Sequence, residues 1–167
     1  SQTINLAQPT LLDVYADEVH PPNCAGQNSG FITTEVAGGT GGYYFLWDNG
    51  ATTPDLLSIG NGTYAVTVTD DNGCTDAAVF GPIASPELLN IGINKTDPPC
   101  NGRDEGSVQA YVIGGGLPPY SFNWSTDDSG PELFNLPYGP YTVTVSDANG
   151  CESVLSTILD SIQVLVL

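Results

Sequence analysis

Gly62-Thr63-Tyr64-Ala65-Val66-Thr67-Val68-Thr69-Asp70-Asp71-Asn72-Gly73-Cys74 recurs as Gly139-Pro140-Tyr141-Thr142-Val143-Thr144-Val145-Ser146-Asp147-Ala148-Asn149-Gly150-Cys151. The two copies lie 77 positions apart, and so do Trp47 and Trp124. Tyr43-x-Phe45-x-Trp47 likewise matches Tyr120-x-Phe122-x-Trp124. Cys24 and Cys100 differ by 76, so the second copy carries one extra residue between its first cysteine and its tryptophan. A fixed period of this size means that one structural unit is laid down twice. Within the motif, Tyr64, Val66 and Val68 alternate with Ala65, Thr67 and Thr69. That period of two describes a strand with one buried and one wet face. Asp-x-Asn-Gly then supplies residues that tolerate positive φ, so a hairpin to another strand follows.

Extending this reading through one period places short strands at 11–16, 31–37, 43–47, 52–56, 57–59, 63–69 and 75–83. About seven strands, a Trp on the third and a Tyr opening the sixth predict an immunoglobulin-like β-sandwich, with the Tyr hydroxyl anchoring a corner. Composition agrees: 20 Gly, 13 Pro and no Met accompany short Thr/Val runs, and no segment keeps helical spacing over three turns. The fold class is therefore all-β, with two tandem antiparallel sandwiches arranged end to end. Ile83-Ala84-Ser85-Pro86-Glu87-Leu88-Leu89 resembles Leu6-Ala7-Gln8-Pro9-Thr10-Leu11-Leu12 one period earlier. The boundaries expected are 9–85 for repeat 1 and 86–162 for repeat 2. Residues 1–8 read as the end strand of a preceding repeat, and 163–167 as the first strand of a following one.

These residues resemble the SprB-type repeat of large Bacteroidetes surface adhesins, itself close to the polycystic-kidney-disease-like (PKD-like) sandwich. The resemblance rests on Cys-x-Gly at Cys24-Ala25-Gly26 and Cys100-Asn101-Gly102, on Tyr-x-Phe-x-Trp, and on Gly-x-Tyr-x-Val-Thr-Val-x-Asp-x-Asn-Gly-Cys. The usual Gly-Gly-Thr-Pro-Pro-Tyr is altered in both copies, to Gly38-Gly39-Thr40-Gly41-Gly42-Tyr43 and Gly114-Gly115-Gly116-Leu117-Pro118-Pro119-Tyr120. It implies secretion to the cell surface, often by the type IX route, and roles in adhesion, gliding motility or fibre building. It implies no catalysis and names no ligand.

Charge narrows the partners. Two Lys+Arg against 19 Asp+Glu give −17, which repels a phosphate backbone and an anionic membrane surface. No apolar run of about 18 residues occurs, so membrane insertion is not expected. The chain reads as mature exported material, and its four cysteines and near absence of Lys suit an oxidising exterior.

The cysteines allow three pairings. Pairing within repeats would join Cys24 to Cys74 and Cys100 to Cys151. In an immunoglobulin-like sandwich those cysteines lie at opposite ends, roughly 20–25 Å apart at about 3.3 Å per residue. A disulfide needs Cα atoms within about 7 Å. The inter-repeat pair Cys24–Cys151 is preferred, leaving Cys74 and Cys100 for neighbouring repeats, with the within-repeat pairs as the alternative.

Asp70, Asp71, Asn72, Asp147 and Asn149 read first as turn residues. As oxygen donors they also make calcium a candidate, helped by Asp17, Glu18, Asp97, Asp104 or Glu105, although no EF-hand spacing is present. No cofactor is required. Trp47, Trp124, Phe45, Phe122, Tyr64 and Tyr141 fall on interior positions and read as core rather than as a sugar platform. Tyr44, Tyr111 and Tyr138 fall off that pattern and are candidates for surface contact. Asn61, Asn94 and Asn123 fit Asn-linked sequons, and Ser161 fits a Bacteroidetes O-glycosylation site. His20 is the sole histidine and precedes Pro21-Pro22. With no Gly-x-Ser-x-Gly and no His-Glu-x-x-His, an enzyme is not expected. The function expected is a structural spacer or stalk of a long extracellular adhesin or surface filament. The partners expected are neighbouring repeats, neighbouring filament chains or surface glycans. The alternatives are a glycan- or calcium-binding adhesive module and a filament subunit assembling by strand addition.

Overall fold

Alternating β-branched residues fill the strands because their branched side chains suit a pleated, half-buried surface. The computed structural model describes residues 10–99 and 104–160, and the chain divides into two compact units, 1–85 and 86–167. The stretches 1–8 and 163–167, together with Cys100 and Ser161, lie outside the described residues. Repeat 1 contains β1 (Asp13–His20), β2 (Gly30–Ala37), β3 (Tyr43–Trp47), β4 (Leu56–Ile59), β5 (Gly62–Asp70) and β6 (Thr75–Ile83). Repeat 2 contains β7 (Asn90–Thr96), β8 (Gly106–Gly114), β9 (Ser121–Trp124), β10 (Glu132–Leu136), β11 (Gly139–Ser146) and β12 (Glu152–Leu159).

Among the described residues, each repeat is built from two three-stranded sheets. In repeat 1 they run β1-β2-β4 and β3-β5-β6, and in repeat 2 β7-β8-β10 and β9-β11-β12. Every pairing is antiparallel. The period is kept down to register: Phe45 opposes Val68 and Trp47 opposes Val66, just as Phe122 opposes Val145 and Trp124 opposes Val143. The two sheets of each repeat enclose its own core. Val14, Ile32, Trp47, Leu56, Val66 and Val68 are buried in the first, and Val108, Trp124, Leu133, Tyr141, Val143 and Val145 in the second. Each such side chain contributes about 1.5–3 kcal/mol by leaving water. All-β tandem sandwich architecture is thereby observed.

Two details differ from the sequence reading. No strand forms at 52–55. Pro54 has no N–H to donate to a ladder, and the Thr53 carbonyl accepts the Trp47 indole N–H at 2.9 Å. Thr34 Oγ1 bonds the Pro54 carbonyl at 2.8 Å. Pairing begins only at Leu56. The first strand also starts later than residue 11 and runs to His20, with a bulge between Ala16 and Glu18.

Polar contacts join the sheets where the first and last strands of a repeat approach. In repeat 1 the Val14 N–H donates to Asp76 Oδ2 at 2.8 Å. In repeat 2 Lys95 Nζ lies 3.0 Å from Asp97 and 2.8 Å from Asp160, and donates to the Ile158 carbonyl. Hydrogen bonds donated to Asp160 and Asp97 hold the Lys95 ammonium above its usual range. The Asp160 N–H, then Lys95, lower the Asp97 carboxyl.

The corner tyrosines behave as anticipated. Tyr64 donates to the Gly60 carbonyl at 3.2 Å, and Tyr141 to the Pro137 carbonyl at 3.0 Å. Burial, then the nearby Asp104 charge, pushes the Tyr141 phenol up. Replacing Tyr141 with Phe removes that bond from a buried side chain, an expected cost of about 1 kcal/mol in denaturant titration. Tyr138→Phe, at a side chain 71% exposed, is expected to change nothing measurable.

Candidate functional site

The hairpin β5–β6 closes through Gly73, and its counterpart β11–β12 through Gly150. Both glycines hold φ near +80°, at 81° and 77°. Such values sit in the left-handed region that glycine adopts without steric cost. What precedes each glycine is more informative. Asp70 is 3% exposed and Asp147 8%, unusual for carboxylates. Asp70 Oδ1 accepts the N–H groups of Asn72 at 3.0 Å and Cys74 at 2.8 Å, and Oδ2 accepts that of Thr40 at 2.9 Å. Asp147 repeats this with Asn149 at 2.9 Å, Cys151 at 2.8 Å and Leu117 at 2.8 Å. One carboxylate therefore ties its own hairpin to a glycine-rich loop thirty residues earlier.

That loop is held from its other side as well. The Gly39 N–H donates to the Thr10 carbonyl and the Gly116 N–H to the Glu87 carbonyl. Tyr43 donates to the Gly38 carbonyl at 2.6 Å and Tyr120 to the Gly115 carbonyl at 3.1 Å. Gly38 and Gly115 both hold φ +70°, and a Cβ there would lie 1.9 Å from the Leu11 carbonyl oxygen and 2.0 Å from that of Leu88. The Gly-Gly signature thus records a close backbone approach.

Burial alone would raise the Asp70 carboxyl. The N–H groups of Cys74, Thr40 and Asn72, with the Cys74 thiol, outweigh it and leave it below the usual range. Asp147 is likewise lowered: burial opposes, and the amides of Leu117, Cys151, Asn149 and Gly150 prevail.

The candidate calcium donors are divided between the two ends of the repeats: Asp70, Asp71, Asp147 and Asn149 lie at the hairpin end, and Asp97 follows β7 at the far end. Asp70 and Asp147 spend both oxygens on amides, and Asp71 Oδ2 accepts the Gly42 N–H at 2.8 Å. Repeat 2 has Ala148 in place of Asp71. Asp97 is engaged by Lys95 and the Asp160 N–H. Among the described residues no group of three or more His, Cys, Asp or Glu is placed to hold a metal ion.

The remaining candidates fall as follows. Trp47 and Trp124 are buried, each indole donating to a loop carbonyl, of Thr53 and of Gly130, at 2.9 Å. Tyr64 is half-buried against the first core and Tyr141 buried in the second. Tyr44 (66% exposed), Tyr111 and Tyr138 lie at the surface. Asn61, Asn94 and Asn123 are exposed. His20 stacks on Phe31 at 5.1 Å, and its Nδ1 lies 2.8 Å from the Pro21 carbonyl.

The cysteines are in different states. Cys24, in the β1–β2 loop, is disulfide-bonded and 6% exposed. Cys151 is also disulfide-bonded. Cys74 keeps a free, exposed thiol, so the alternative pair Cys24–Cys74 is not formed. The two residues border different loops of the sandwich, one between β1 and β2 and the other just past the β5–β6 hairpin. Beside Cys74 opens a cavity of about 230 Å³, lined by Thr10, Leu11, Leu12, Gly39 and Thr40 among others.

A family model described as the SprB repeat matches residues 16–52 and 92–129. The SprB repeat is therefore present twice. Each SprB match contains a Cys-x-Gly and a Tyr-x-Phe-x-Trp, and stops before the Asp-x-Asn-Gly-Cys hairpin. The chain is also similar, at 18% identity, to a structure titled "Crystal structure of the S-layer protein SbsC domains 4 and 5". That alignment covers 90% of this chain and 98% of the other, with a TM-score of 0.34, too low to carry an argument. No curated protein matches the chain.

Two expectations follow from the carboxylate. Because the folded values of Asp70 and Asp147 lie below the ordinary 3.8, their stabilisation is complete above pH 3.8 and is lost as pH falls through the lower folded values. Thermal melts of an Asp70→Asn, Asp147→Asn variant should show a lower melting temperature than the parent at neutral pH. The gap should close as pH drops below that window. Separately, Gly38→Ala forces a side chain into a left-handed backbone against the Leu11 carbonyl, with an expected loss of at least about 1–3 kcal/mol in chemical denaturation.

Proposed function

We propose that this chain is a structural spacer of a long extracellular adhesin or surface filament, built from SprB repeats. The observation that carries the reading is that anchoring bonds recur while exposed chemistry does not. The Trp47 N–H donates to the Ala51 carbonyl and the Trp124 N–H to that of Asp128, each at 2.9 Å. Yet the loops read Asp48-Asn49-Gly50-Ala51 and Ser125-Thr126-Asp127-Asp128. The exposed tyrosines do not repeat either: at the positions equivalent to Tyr44, Tyr111 and Tyr138 stand Ser121, Glu35 and Asn61. A module recognising one glycan or cation in every unit would keep those side chains. A spacer need keep only what holds its shape.

The state of the cysteines supports a staple between repeats, Cys24 to Cys151. Both are oxidised, Cys74 is not, and four cysteines exist in all. Either oxidised residue pairing with Cys100 would leave the other without a mate. Closing so long a loop restricts the unfolded chain, worth about 3–5 kcal/mol in the entropic account. It would also give the array resistance to pulling.

Peptide mapping by mass spectrometry without reduction is expected to recover a peptide pair containing Cys24 and Cys151. Recovery of Cys24 with Cys74 in its place would overturn the stapled spacer.

A further inference from the structure

We infer that the outer face of the β7-β8-β10 sheet in repeat 2 is a binding site for a neutral oligosaccharide. The inference goes beyond the spacer reading and does not depend on it, since a spacer can carry a contact in a single unit.

Register sets the outward residues of the three strands in rows. Gly92 stands beside Tyr111, Asn94 beside Gln109 and Glu132, and Thr96 beside Ser107 and Phe134. The middle row is polar and joined across the sheet. Asn94 Nδ2 donates to Gln109 Oε1 at 3.4 Å, and Gln109 Nε2 donates to Glu132 Oε1. A side-chain amide carries two N–H donors and an accepting oxygen, and a carboxylate two accepting oxygens. The relay therefore leaves one N–H on each amide, Asn94 Oδ1 and Glu132 Oε2 without a partner among the described residues. A sugar hydroxyl both donates and accepts, and a row of planar groups offering both roles answers it.

Aromatic rings flank the polar row on either side. Tyr111 is 42% exposed and Phe134 65%. Tyr111 reaches across to the neighbouring strand, where a Cβ added at Gly92 would fall 2.5 Å from its ring. Glycine thus lets the ring lie seated over the β7 backbone, a fixed platform for the apolar C–H face of a pyranose. The two rings stand on rows four residues apart, about 13 Å along the strands at 3.3 Å per residue. That span exceeds one pyranose and suits a short oligosaccharide. A groove of about 180 Å³ follows the polar row to Phe134, lined by Asn94, Thr96, Ser107, Gln109 and Glu132 among others. A few convergent polar groups beside aromatic surface are the usual make-up of a small-ligand site.

Charge selects the class of sugar. The chain carries −17 and Glu132 sits within the row, so uronic and sulfated sugars are repelled. Lys95 also lines the groove, but its ammonium is held by Asp97 and Asp160. Repeat 1 lacks the constellation. Glu18, Thr33 and Asp55 stand at the positions of Asn94, Gln109 and Glu132, and Glu35 and Leu57 at those of Tyr111 and Phe134.

Affinity electrophoresis of the full chain tests this, in native gels cast with soluble glucan, mannan, galactan or xylan, and with polygalacturonate as the charged counterpart. At least one neutral polymer should retard the chain, and polygalacturonate should not. Tyr111→Ala and Phe134→Ala should each raise the dissociation constant read from the retardation by roughly tenfold, the loss of one stacking ring. Leu57→Ala, at the equivalent position in repeat 1, should leave it unchanged. An unaltered thermal melt of Phe134→Ala, whose ring is already exposed, shows that the loss is one of binding rather than of folding. No retardation by any neutral polymer, equal retardation by polygalacturonate, or retardation that both ring variants leave intact would overturn the inference. So would sedimentation showing a dimer of the free chain that Phe134→Ala dissolves, because the face would then be an interface between copies.

Discussion

One buried carboxylate per repeat organises the end of the sandwich on which the rest depends. Asp70 and Asp147 each accept three backbone N–H groups, from their own hairpin and from a loop thirty residues back. A buried charge of this kind is tolerable only when fully bonded, and here the partners are backbone amides. The arrangement fixes the hairpin, the Gly-Gly loop and the direction of the cysteine together. Its recurrence at an interval of 77 makes the two repeats equivalent in structure as well as in sequence.

Around that anchor the rest is ordinary sandwich physics. Tyr-x-Val-x-Val places alternate residues inward, where they meet a tryptophan from the neighbouring strand, and the corner tyrosine ties the entry of the same strand to the preceding loop. The outward faces are free to vary, and they do. This division between kept skeleton and changed surface is why the spacer reading is stronger than one in which every unit carries a binding site.

Much of this was legible in the residues, for local reasons. Period-two alternation around Val66 and Val143 marks a strand regardless of context, and Gly73 and Gly150 mark the turn. The stretch around Thr52 and Thr53 misled because threonine favours strands, while the indole of Trp47 takes the Thr53 carbonyl out of any ladder. The role of Asp70 and Asp147 was only half visible. Asp-x-Asn-Gly announces a turn, but the third amide comes from Thr40 or Leu117, and nothing near the aspartate names that partner. The glycine doublets were visible as a motif, yet the carbonyls of Leu11 and Leu88 that require them lie far away in sequence. Lys95 could have been singled out as one of only two cationic side chains, and its ties to Asp97 and Asp160 were missed.

Native-state hydrogen exchange tests the anchoring carboxylate most directly. The amides of Thr40, Asn72 and Cys74, with those of Leu117, Asn149 and Cys151, should exchange as slowly as the central amides of β5 and β11, since each is bonded to a buried acceptor. Exchange at the rate of open loop amides, in either repeat, would contradict the account.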